Sequence, residues 1–170
     1  MLKVVKSPNP ILLERANECD TGDLSLKNLS REMLETMYKN HGIGLAGPQV
    51  GESKRIIVID LGYDPEDKDK PKCPHTLINP EIVERSSQME DSEEGCLSCP
   101  GISAPVLRHA IVKVKYLDLN GQERTIEAGG LLSHCLQHEI DHLDGKTLFQ
   151  TAKPEVRLQL LQDYQLANAN

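Results

Sequence analysis

Gln137-His138-Glu139-Ile140-Asp141-His142 decides how the rest of the chain is read. It continues the apolar run Leu131-Leu132-Ser133-His134-Cys135-Leu136, and together they predict a helix from about Gly130 to Leu143, closed by Gly145. Leu131, Cys135, His138 and His142 follow one another at spacings of four, three and four, so they share one helical face. Histidines four apart stand about 5–6 Å apart at Cβ, which suits two ligands of one metal ion. Glu139 can reach the open side of that ion as a general base. A helix with surface His and Glu would carry the same letters, so the case depends on finding further ligands.

A catalytic site of this kind needs three protein ligands and one open position. The longer metalloprotease pattern would put a third His at position 148, where Leu148 stands. Of the downstream carboxylates, Asp144, Glu155 and Asp163, none belongs to a second motif. Upstream, Glu94-Gly95-Cys96-Leu97-Ser98 offers a thiol 42 residues before His138. A thiolate beside a divalent cation is deprotonated outright and is a strong soft donor. Cys96 and Cys99 also form a Cys-x-x-Cys, open to reading as a redox pair, although Pro100 and Gly101 follow instead of a helix start. A zinc ribbon would need a second such pair, and Cys73 and Cys135 stand alone.

Outward from these segments, Leu26, Leu29, Met33 and Met37 form an apolar stripe on a helix from about Ser25 to Asn40, ended by Gly42. Gly42-Ile43-Gly44-Leu45-Ala46-Gly47-Pro48-Gln49 reads as a loop whose glycines let backbone pass close to something. It lacks the Lys-Ser/Thr ending of a phosphate-binding loop. Arg55–Leu61 is a buried strand, and Gly62–Pro74 is a charged, proline-rich mobile insertion. Strands follow at Thr76–Asn79, Glu81–Ser86 and Gln88–Asp91, then a hairpin, Ile111–Leu117 and Gln122–Ala128, turned by Asn120-Gly121. Pro154 opens a last helix with Val156, Leu160, Leu161 and Tyr164 facing inward. The fold class is therefore α+β: antiparallel strands in small sheets around a central His-Glu-x-x-His helix, with an N-terminal and a C-terminal helix.

A chain of 170 residues reads as a single domain, 1–170. Aromatic residues make up only 3%, so the core must be aliphatic and platforms for stacking bases are scarce. A net charge of −7 gives no electrostatic reason to bind DNA. The odd count of five Cys, irregularly spaced, fits reduced thiols better than a disulfide framework. With no signal-peptide core and no membrane span in the sequence, a cytoplasmic protein with no membrane partner is expected.

Gly42–Gln49, Glu94–Ser98 and Gln137–His142 together resemble one family, the peptide deformylases, which remove the N-terminal formyl group from new bacterial proteins. Their order and separations match, and the resemblance runs on through the intervening strands, the hairpin and the terminal helix. It implies Cys96, His138 and His142 as metal ligands and Glu139 as general acid/base. It implies the Gln49 side-chain amide and the Leu97 backbone N–H as oxyanion donors. Ile43, Gly44, Glu94, Leu131 and Cys135 match positions around the pocket for the methionine side chain. Fe²⁺ is the implied native metal, with Zn²⁺, Ni²⁺ or Co²⁺ as alternative occupants. The implied partners are N-formyl-methionyl peptides and the ribosome.

The sequence departs from the family pattern at Gly47, Pro48 and Cys99, and Ser103 stands where an Arg is usual. Arg108 is expected to pair with Glu94, and His134 to be a helix-face residue and not a ligand. Two rival readings are a metallopeptidase that cuts internal bonds and a non-catalytic metal- or ribosome-binding protein. Cys96 and Cys99 are near enough in sequence to cross-link once the metal leaves. Peptide mapping of aerated metal-free protein should therefore find a reducible Cys96–Cys99 bond; its absence would refute the expectation.

Overall fold

Ile56-Ile57-Val58-Ile59 is buried at every position, as a strand covered on both faces must be. In the computed structural model, which describes residues 1–64 and 66–169, this strand is β2 (Ile56–Ile59). Helix α1 (Ser25–Lys39) and strand β1 (Gly44–Ala46) come before it. After it come β3 (His75–Arg85), β4 (Met89–Gly95), β5 (Ser103–His109), β6 (Ile111–Leu117) and β7 (Glu123–Gly129). The chain closes with helices α2 (Gly130–Leu143), α3 (Leu148–Thr151) and α4 (Arg157–Ala167). Five strands form an antiparallel sheet in the order β1-β2-β3-β6-β7, and β4 and β5 pair as a separate ribbon.

The period of two explains the layers. Ile57 and Ile59 meet Leu136, Ile140 and Leu143 of α2 on one face of the sheet. Ile56 and Val58 meet Leu26, Leu29, Met33 and Met37 of α1 on the other. A third cluster joins Ala104 and Val106 of β5 to Leu148, Ala152 and Leu160. Helix α2 thus lies between the large sheet and the β4–β5 ribbon, and its own sequence begins and ends it where periodicity and glycine predict.

Other elements differ from the sequence reading. The glycine loop contains β1, whose three residues pair with Ile57–Ile59. Thr76–Asn79 and Glu81–Ser86 belong to one strand, β3; Asn79 (φ 50°) and Pro80 only shift its register against β6. Strand β4 runs on to Gly95, past the expected Asp91. Strand β5 was not expected, because Pro105 masks its alternation; as an outer strand it tolerates proline. Helix α3 was also missed, being a single turn. At the end of α1 the left-handed residue is His41 (φ 59°), not Gly42. In α4, Leu160 and Tyr164 are buried, but Leu161 is 43% exposed because too little structure covers that side.

Within the Gly62–Pro74 segment, Pro65 lies outside the described residues. The segment is tied at both ends to the Asp60 carboxylate, which accepts the N–H groups of Gly62, Tyr63 and Cys73. Among the described residues, no helix is long and apolar enough to cross a membrane.

The C-terminal end of α2 is fixed from outside the helix. The Arg55 guanidinium donates to the Leu143 carbonyl at 2.9 Å and to Asp144 at 3.0 Å, and the Ala16 N–H donates to the same carbonyl at 2.8 Å. Gly145 then turns with φ 76°, and a Cβ there would stand 2.6 Å from the Leu13 carbonyl oxygen. For an L-residue the left-handed backbone alone costs about 1–2 kcal/mol. Gly145→Ala should lower the melting temperature by roughly 3–8 °C, read by calorimetry; an unchanged midpoint would contradict this account of the helix end.

Candidate active site

Helix α2 and the end of β4 bring three donors to one point. One ligand atom each from Cys96, His138 and His142 lies within 4.8 Å of the others. The Cys96 Sγ is 3.3 Å from His142 Nε2, and the two imidazoles, one helical turn apart, have ring centres 5.0 Å apart. The Nδ1 of His138 faces Glu94 Oε1 at 2.9 Å, which leaves its Nε2 for the site. One thiolate and two imidazoles suit a borderline-soft divalent cation.

Glu94 is the centre of a buried ion network. Arg108 clamps both carboxylate oxygens, at 2.8 and 2.7 Å, and spends its third arm on Asp141 of α2 at 2.5 Å. Burial pushes the Glu94 carboxyl up, but the hydrogen bonds from Arg108 and His138 outweigh it and hold the group at about 2. It is therefore a fixed anion behind His138. Gln137 locks the same seam: its amide accepts the His109 N–H and donates to the His109 carbonyl, joining α2 to the end of β5 beside Arg108. Sequence reasoning missed Asp141 and Gln137. The signal available was their place inside the motif, on the turn that packs toward β5.

Glu139 is 3% exposed, and its Oε1 has no hydrogen-bond partner; His142 Nδ1 is the other such buried side-chain atom among the described residues. Native structures keep few of these, and function is a usual reason. Burial raises the Glu139 carboxyl to about 7, where a group can take and return a proton near neutrality. Burial pushes the His142 imidazole down, which favours the neutral form that can donate to a metal. The Cys99 thiol beside it, and then burial, push the Cys96 thiol up. A bound cation reverses that preference.

Gln49 comes from the opposite wall. Its Oε1 accepts the Ala46 N–H at 2.9 Å, which turns the NH₂ toward Cys96 Sγ (3.4 Å) and Ser98 Oγ (3.1 Å). The Leu97 N–H makes no hydrogen bond among the described residues. Gly44 explains the glycine loop: a Cβ there would lie 2.4 Å from Glu139 Oε2. These groups border a cavity of about 370 Å³, within the range of ligand pockets. Ile43, Gly44, Glu94, Leu131 and Cys135 all line it, with Leu131 on its rim at 59% exposure. The Glu94 carboxylate itself is committed to Arg108 and His138. His134 stays outside the ligand set and faces Glu90 at 3.1 Å. Ser103 donates to Glu93 at 2.9 Å, and Glu93 also borders the cavity.

The family profile described as polypeptide deformylase matches residues 1–157. The chain belongs to the peptide deformylase family. It is 45% identical over 155 residues to a peptide deformylase of Natranaerobius thermophilus, covering 91% of this chain and 94% of that one. It is 46% identical over 138 residues to one of Brucella suis, covering 81% and 77%. The crystal structure of a Synechococcus elongatus peptide deformylase in complex with actinonin superposes with a TM-score of 0.88 at 40% identity, covering 98% of this chain and 88% of that one. The Legionella pneumophila peptide deformylase gives 0.88 at 38% identity, covering 99% and 96%. Enzymes of this family are metal-dependent hydrolases that remove the N-formyl group from nascent polypeptides, and that is the function of this chain.

Two substitutions test the geometry. Arg108→Ala leaves Glu94 without its guanidinium and His138 without a fixed partner. Metal affinity should fall roughly 10–100-fold, read as metal content after dialysis; full retention would contradict the network's role. Gly44→Ala drives a methyl group into Glu139. It should keep the metal and lose turnover by roughly a hundredfold, the cost of about 1 Å of misplacement.

Proposed function

We propose that Cys96, His138 and His142 hold the metal ion and that Glu139 is the general acid/base. The observation that carries this is the unpartnered Glu139 carboxylate, buried beside the three converging donors and titrating at about 7. A cation held there supplies a Lewis acid that makes a water acidic enough to serve as nucleophile near neutral pH. Glu139 accepts the proton of the attacking water and returns it to the leaving amine nitrogen. The Gln49 NH₂ and the Leu97 N–H donate to the oxygen of the formyl group as it gains charge; one such donor is worth about 2.7–4 kcal/mol in comparable sites. Gln49 is held for this by Ala46, so it does not reorganise when charge develops.

Fe²⁺ is the proposed native metal, with Zn²⁺, Ni²⁺ or Co²⁺ able to occupy the same donors. The substrates are N-formyl-methionyl peptides, with the methionine side chain in the cavity bordered by Ile43, Gly44, Glu94, Leu131 and Cys135. The whole chain, 1–170, is read as one catalytic domain working in the cytoplasm, in keeping with its free cysteines. The ribosome is the partner implied by a substrate that emerges there.

Glu139→Gln preserves shape and removes the base. Turnover of a formyl-Met peptide should fall by at least roughly a hundredfold while metal content stays unchanged. Surviving turnover would overturn the assigned role.

A further inference from the structure

One wall of the cavity carries a polar group that neither the fold nor the proposed chemistry uses. Glu90, Ser92 and Glu94 lie at alternate positions on the inward face of β4. Glu90 meets His134 and Glu94 meets His138 of α2. Ser92 falls between these two pairs. It is 9% exposed, lines the cavity, and its hydroxyl makes no hydrogen bond among the described residues. Beyond it, the His134 ring, held by Glu90, forms the wall farther from the metal ligands.

The hydroxyl is open to the cavity, and a purely apolar side chain seated over it shuts it off from water without giving it a partner, which is unfavourable. We propose that Ser92 is a specificity residue that lets the cavity accept methionine sulfoxide, so that S-oxidised formyl-methionyl peptides are also deformylated. The proposal rests on the deformylase reading above. The sulfoxide oxygen is a strong acceptor at the side-chain tip, and it accepts the Ser92 O–H there. The thioether of unoxidised methionine accepts only weakly, and Ile43, Leu131 and Cys135 still enclose its carbons. The sulfoxide sulfur is chiral and Ser92 lies on one wall only, so one epimer is favoured. The sulfoxide is not altered by the reaction; hydrolysis of the formamide releases formate and the free amine as for methionine.

The test compares kcat/KM for formyl-Met-Ala-Ser and the two separated sulfoxide epimers on Ni²⁺-loaded protein, with mass spectrometry confirming that the oxygen is retained. A sulfoxide buried without a partner should be slowed by roughly a hundredfold. Here the better epimer should stay within about tenfold of formyl-Met. Ser92→Ala should lower the sulfoxide-to-methionine ratio by roughly three- to tenfold and erase much of the epimer preference. Ser92→Thr, which keeps the hydroxyl, should restore the ratio. A deficit beyond about tenfold for both epimers, or a ratio unmoved by Ser92→Ala, overturns the proposal while turnover of formyl-Met leaves the deformylase reading standing. No turnover of formyl-Met itself would overturn that reading instead.

Discussion

The Glu94 carboxylate, buried between Arg108 and His138, is the interaction on which the site depends. It satisfies Arg108, whose remaining arm holds Asp141 of the central helix, and it orients the imidazole of His138. Removing one partner from a buried pair costs about 3–5 kcal/mol. The seam between the β4–β5 ribbon and α2 therefore resists rearrangement. Cys96 lies two residues beyond Glu94, so the same clamp that aims the His138 imidazole also anchors the loop that carries the Cys96 thiol.

The second constraint is space. Helix α2 carries His138 and Glu139 on one turn and His142 on the next, and everything that faces them must approach closely. On the glycine-loop side this falls to Gly44 against Glu139. From the same loop Gln49 reaches Cys96 with an amide whose orientation is set by the Ala46 N–H. A buried carboxylate with nothing to hydrogen-bond to would weaken an ordinary core. Here its isolation raises its proton affinity, and the surrounding sheet and helices supply the stability that permits it.

Much of this was legible in the sequence because it is local. The His-Glu-x-x-His spacing, the α1 stripe, the Asn120-Gly121 hairpin and the bounds of α2 each follow from one element's own periodicity or turn chemistry. What was not legible depends on pairing between distant segments. Gly44–Ala46 is too short to announce a strand and exists as one because β2 offers it an edge. Pro105 hid β5, and only its partner β4 makes that strand evident. Arg108 and Glu94 could be paired on resemblance, but Asp141 joins them only because α2 packs against the ribbon. Leu161 looked like a core residue by spacing alone; spacing cannot reveal that it stays 43% exposed at the edge of a groove beside Leu12, Leu13 and Phe149.

The most direct measurement is anaerobic incubation of the metal-loaded protein with formyl-Met-Ala-Ser, followed by mass spectrometry of the peptide and assay of formate. The expected result is one formate and one intact free-amine tripeptide per turnover, abolished by a chelator and restored by adding the metal back. Cleavage between the amino acids, or an unchanged formyl peptide with the metal bound, would contradict the account.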